Sequence, residues 1–112
     1  SAGVQEIAVA GVAPEGSAGR LTRIGGFHVD IALRDTLVIL TNHDVPGVIG
    51  RVGTLLGNAS VNIAEDHQAR LAQGGEALAA ISVDGTVGPG VREALLELPD
   101  ITSATIVHFR GV

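Results

Sequence analysis

Three residues with polar or ionisable side chains, Asn42, His43 and Asp44, stand together where the apolar run LVIL of residues 37–40 gives way to PGVIG at 46–50. A strand that hands over to a helix at Pro46 leaves the first helical amides, those of Val48 and Ile49, without intrahelical acceptors, and the helix dipole adds positive potential there. An anion is stabilised at such a place. The carboxylate of Asp44 attracts a cation, so the junction holds both halves of a zwitterion site: an α-carboxylate on the amides and an α-ammonium beside Asp44. Asn and Asp at such junctions serve more often as caps for helix and loop, and spacing by itself favours that use. Asn62, set between Val61 and Ile63, is a second candidate. It either reaches a ligand held by a neighbouring copy or bonds a nearby loop, and spacing leaves both open.

Other chemistry finds little support. The four histidines, at 28, 43, 67 and 108, show no ligand spacing on a helix or strand, so no metal site is expected. Glu65, Asp66 and His67 are adjacent, and adjacent strand residues point to opposite faces, so they cannot converge as a catalytic group. The same alternation turns His43 away from Asn42 and Asp44. No nucleophile elbow, phosphate loop or dinucleotide fingerprint occurs. The expectation is a non-enzymatic chain with no catalytic residue and no cofactor.

The elements that must position these residues follow from periodicity. Short strand-like runs in QEIAVAGV, RLTRIGG and FHVDIAL, the first two separated by the turn-rich APEGSAG, predict a hairpin and a third strand within residues 1–35. From Thr36 the pattern changes. TLVILTN reads as an apolar strand, Pro46 opens a helix, and Val48, Ile49, Val52, Leu55 and Leu56 share one helical face before Gly57 and Asn58 stop it. SVNIAEDHQARL and GEALAAISVDG predict two antiparallel strands joined through AQGG. VREALLELPD predicts a second helix ended by Pro99, and the β-branched ITSATIVHF a last strand. This βαββαβ order over residues 36–112 predicts an α+β, ferredoxin-like domain: a four-stranded antiparallel sheet with both helices on one face. The other face needs a partner: another sheet, another subunit, or the leading strands of the same chain. Gly50, Gly53 and Gly57 form a stripe along the first helix, and each interior glycine costs about 0.8–1.0 kcal/mol relative to alanine. Close approach of another backbone, either the second helix or a symmetry mate, is the expected compensation, and packing against the second helix is the preferred one.

Composition narrows the partners. The 112 residues contain 46% hydrophobic side chains but only two Phe and no Trp, Tyr, Met or Cys, so the core must be built from Val, Ile, Leu and Ala. Without cysteine there are no disulfides, thiolate sites or thiol nucleophiles, which fits the cytoplasm. A net charge of -5 with seven scattered basic residues argues against nucleic acid. No segment is long and apolar enough for a membrane span or a signal peptide, so no membrane partner is expected.

LVILTNHDVPGVIGRVGTLLGNASVNIA, GGEALAAISVDG and LLELPDITSATIVHF together resemble an ACT domain, a small-molecule-binding regulatory module. The resemblance is strongest to the C-terminal regulatory region of NAD-dependent D-3-phosphoglycerate dehydrogenases, and RIGGFHVDIAL is similar to the end of the intervening domain that precedes it there. The resemblance implies a homodimer, or higher homo-oligomer, paired side by side through first helices and adjoining strands, with an amino-acid effector, L-serine, bound across the interface. Carried over by position, Asn42 and Asp44 contact the amino acid, the amides of Val48 and Ile49 hold its carboxylate, and Asn62 reaches in from the other subunit. Asp66 and Gln68 stand where related domains continue with apolar residues. The catalytic and nucleotide-binding domains of the dehydrogenase have no counterpart in the sequence, which implies a fragment, a separate regulatory subunit or a stand-alone relative. Two other readings remain: an assembly domain without ligand, and the ACT-like segment of an L-serine dehydratase.

Overall fold

The computed structural model describes residues 9–12, 20–24, 27–70 and 75–109. The APEGSAG turn, and all but Gly75 of the AQGG connection, lie outside them. The strands are β1 (Val9–Val12), β2 (Arg20–Ile24), β3 (Phe27–Ala32), β4 (Thr36–His43), β5 (Asn62–Arg70), β6 (Glu76–Asp84) and β7 (Ile101–His108). The helices are α1 (Val48–Asn58) and α2 (Val91–Leu96). Strands β1 to β3 form an antiparallel sheet in chain order, and the other four form a second antiparallel sheet in the order β5-β6-β4-β7. That is the expected α+β, ferredoxin-like arrangement.

The continuous apolar run in β4 has a physical reason: it is a central strand buried on both faces. On one face Val38 and Leu40, with Ala79, Ile81 and Val83 of β6 and Ala104 of β7, meet Val48, Val52 and Leu56 of α1 and Val91 and Leu95 of α2. On the other, Leu37 and Ile39 join Leu78 and Ala80 of β6 against Ile24, Val29 and Ile31 of the leading sheet. The face that needed a partner is thus covered by the chain's own first strands. Each fully buried Leu, Ile or Val contributes about 1.5–3 kcal/mol, and these many aliphatic contacts replace the missing aromatic ones.

Polar bonds fix one layer on the other. The Ser82 hydroxyl donates to the Ala32 carbonyl at 2.6 Å, and the Ala32 amide donates to Glu65 Oε1 at 3.1 Å. The buried Thr36 hydroxyl donates to the Gly85 carbonyl at 2.6 Å. Among the described residues no helix is long and apolar enough to cross a membrane.

Two local expectations change. Helix α1 starts at Val48 with Gly47 as its cap, so Pro46 lies ahead of the helix. The glycine stripe does not pack against α2: a Cβ at Gly50, Gly53 or Gly57 would meet no atom within 4 Å. The apolar face of α1 already fills the contact with the sheet and α2, which leaves the glycines on the outward side.

Candidate functional site

The junction after β4 is held from three directions. The His43 amide donates to the Asp100 carbonyl at 2.8 Å, and the Asp44 amide donates to the Gly75 carbonyl at 3.2 Å. The Asp100 carboxylate lies 3.3 Å from His43 Nδ1 and 3.4 Å from Arg51 Nη2, so one acidic side chain links the end of β4 to the first turn of α1. Gly47 has φ near +90°, a left-handed conformation that glycine adopts freely, and a Cβ there would come within 3.1 Å of Arg51 Nη1. This turn aims the start of α1 back at the end of the sheet.

The start of α1 carries no side-chain cap and no acidic residue in its first turn. Its first bond runs from the Arg51 amide to the Gly47 carbonyl at 3.1 Å, so the amides of Val48 and Ile49 precede the first helical donor and have no intrahelical acceptor. Of the capping of helix and loop that spacing favoured for Asn42 and Asp44, the helix cap is absent. Asn42 is 8% exposed and its Nδ2 donates to the His43 carbonyl at 2.8 Å, which stiffens the loop and leaves the amide oxygen available. Asp44 turns toward β5, where Arg70 Nε lies 3.0 Å from its carboxylate.

Asn42, Asp44, Val48 and Ile49 line one groove of about 460 Å³, within the usual range for a small-molecule site. Gln68 and Arg70 form its opposite wall, with Ala77 on the floor. The sequence reading did not assign Gln68 or Arg70 to the site. The available signal was alternation: Asp66, Gln68 and Arg70 share the face of β5 that looks toward the helices, because their β6 partners are Ile81, Ala79 and Ala77. The groove therefore offers a carboxylate, a guanidinium and unsatisfied amides within one small space. That is the complement of a small zwitterion, whose ammonium would take Asp44 and whose carboxylate would take the amides or Arg70.

Asn62 is not in this groove. It sits at the opposite end of β5, exposed, with its Nδ2 donating to Asp84 Oδ2 at 3.1 Å. Arg70 is eight residue steps further along the strand, about 26 Å at a rise of roughly 3.3 Å per residue. His43 faces Asp100 on the other side of the junction. A larger hollow of about 690 Å³ runs beside α1 past Gly50, Thr54 and Leu98, but it is shallow and its one charged lining group, Arg51, is engaged by Asp100. Among the described residues no three His, Cys, Asp or Glu cluster as a metal site would need.

No protein-family model matches the chain. It is 36% identical over 88 residues to a D-3-phosphoglycerate dehydrogenase of Bacillus subtilis, a stretch that covers 79% of this chain and 17% of that protein. It is 36% identical over 81 residues to the chloroplastic D-3-phosphoglycerate dehydrogenase 3 of Arabidopsis thaliana, 72% of this chain and 13% of the relative. With the D-3-phosphoglycerate dehydrogenase of Methanocaldococcus jannaschii the identity is 32% over 88 residues, again 79% and 17%. The chain thus spans about a sixth of the length of these curated relatives or less.

Proposed function

From homology to one segment of D-3-phosphoglycerate dehydrogenases, we propose that this chain is an ACT-type regulatory module of such a protein and that it binds an amino-acid effector, L-serine, at the interface of a homodimer. It performs no chemistry itself. The groove at the end of β4 carries the reading: Asp44 lies beside the uncapped start of α1, with Arg70 within 3.0 Å of its carboxylate. The effector's ammonium binds Asp44 and its carboxylate binds the amides of Val48 and Ile49, with Asn42 supplying a further polar contact. Arg70 must give way for the ammonium to enter, or turn to share the carboxylate.

The dimer part of the reading rests on β5, an edge strand of its sheet. An edge strand paired antiparallel with its own copy about a two-fold axis brings the far end of one strand to the near end of the other. The partner subunit's Asn62 then approaches the Arg70 end of the groove, which Asn62 of the same chain cannot reach. Effector bound across two subunits regulates by favouring the arrangement it binds more tightly.

Calorimetry of the chain with L-serine and a panel of other amino acids tests the proposal. Saturable heat with L-serine, together with a rise in thermal midpoint, is the expected result. Neither heat nor thermal shift at millimolar ligand would sink it. The Asp44–Arg70 ion pair favours a second reading, an assembly domain whose acidic anchor is permanently neutralised by its own chain. That reading expects self-association that is unchanged by any amino acid, which analytical ultracentrifugation with and without L-serine would reveal.

A further inference from the structure

The groove after β4 has more places for anions than for cations. Asp44 is the one carboxylate in its lining, whereas the uncapped start of α1 and the Arg70 guanidinium both attract negative charge. A simple zwitterion brings one ammonium and one carboxylate. When its ammonium takes Asp44, the guanidinium that Asp44 holds at 3.0 Å loses its partner. Arg70 stays in the wall all the same, because its backbone is fixed opposite Ala77 in the pairing of β5 with β6. Along β5 the nearest acid on that face is Asp66, four residue steps away, about 13 Å at roughly 3.3 Å per step. Filling the groove with such a ligand therefore leaves one of its cations without an anion.

Two groups in the lining are unfilled. A guanidinium carries five N–H donors in a planar fork that matches a carboxylate, and Arg70 meets Asp44 through Nε with its side chain 71% exposed, so donors remain for a second anion. Asn42 supplies the other: it is 8% exposed, its Nδ2 is committed to the His43 carbonyl, and its Oδ1 accepts no hydrogen bond among the described residues. That oxygen is not shut off from solvent, and the groove is the space that Asn42 lines. A nearly buried acceptor left open to a groove calls for a donor. The volume of about 460 Å³ holds roughly fifteen groups the size of water at about 30 Å³ each, which leaves room for a side chain longer than that of serine.

We propose that the groove takes acidic amino acids as well as L-serine, and that Arg70 is the residue that recognises their side-chain carboxylate. The assignment rests on the reading of Asp44 as the ammonium anchor. The ligand's ammonium sits between Asp44 and Asn42 Oδ1, its α-carboxylate on the amides of Val48 and Ile49, and its second carboxylate on the Arg70 fork. Every charge of ligand and groove then has an opposite partner. The hydroxyl of L-serine offers Arg70 one neutral acceptor in the same place. An amide side chain of the shape of aspartate offers a neutral oxygen and sets an NH₂ group against the donors of the guanidinium. Arg70 thus guards Asp44 in the empty groove and selects the side chain in the filled one.

L-Aspartate and L-asparagine, equal in shape and different in charge, test the assignment. Calorimetry at low, matched ionic strength, where exposed charges are least screened, titrates both, and L-serine, into the parent chain, Arg70→Gln and Arg70→Lys. The parent should bind L-aspartate about fivefold tighter than L-asparagine, as a partly exposed ion pair provides. Arg70→Gln should abolish or reverse that preference while still binding L-serine. Arg70→Lys, which keeps the charge without the fork, should retain part of it. Thermal melts check that the exposed substitutions keep the fold. Equal affinity of the parent for L-aspartate and L-asparagine overturns the inference, and so does a preference that survives Arg70→Gln. Loss of L-serine together with L-aspartate in Arg70→Gln also overturns it, since Arg70 would then be a general anchor that selects nothing. Any of these results alongside L-serine binding by the parent leaves the effector reading standing. No heat from any of the three amino acids overturns the effector reading and the inference together.

Discussion

Replacing Asp44 by alanine separates a binding role from a capping role, because the two make opposite demands on stability. The Asp44 side chain is 26% exposed and its partner Arg70 71% exposed. An ion pair that open to water is screened and contributes about 0–1 kcal/mol. The start of α1 receives no side-chain cap hydrogen bond, so the loss of about 1 kcal/mol that follows removal of a true cap does not apply. Asp44→Ala should therefore lower the thermal midpoint by no more than about 4 °C for a chain of this size. Its effect on the effector is larger. Losing a charged acceptor for the ammonium removes about 1.5–3 kcal/mol of interaction, roughly a 10- to 150-fold rise in Kd at 1.4 kcal/mol per decade. Calorimetry with L-serine and a thermal melt of the same samples give both quantities. The opposite pattern, a strongly destabilised fold with unchanged affinity, would refute the reasoning and restore Asp44 to a structural role.

Leu56 is 0% exposed in the contact between α1 and the sheet, so Leu56→Ala should cost about 2–5 kcal/mol in urea denaturation. Thr36→Val removes the donor to the Gly85 carbonyl at a fully buried position and should cost about 1–3 kcal/mol by the same measurement. Gly50→Ala meets open space and should stabilise the chain by up to about 1 kcal/mol, read as a higher thermal midpoint. Gly47→Ala, at φ near +90° with Arg51 Nη1 3.1 Å from the new Cβ, should lower that midpoint.

The order of elements was legible because it is written locally. Val48, Val52 and Leu56 repeat at the helical period and are the buried residues of α1, and the unbroken apolar run of β4 is what a strand covered on both faces requires. Residues near in sequence carry these signals, so a single chain suffices to read them. The intramolecular packing expected of the glycine stripe failed for the complementary reason. Its three-and-four spacing says that the glycines share a side of the helix, not which side, and only the packing of α1 on the sheet leaves that side without neighbours.

The sequence by itself determined the α+β pattern and the chemistry gathered after β4: a carboxylate, an amide side chain and a helix start within eight residues, 42–49. Tertiary structure decided what those groups face. It brought Arg70 to Asp44 and Gln68 to the opposite wall of the groove through the pairing of β5 with β6, and it laid the leading sheet over the face opposite the helices. It also sent Asn62 to the far end of β5 and bonded it to Asp84. Local periodicity assigns a residue to a face of its own element. Which charge meets which across two elements depends on register and packing, set by long-range contacts that no stretch of sequence encodes alone.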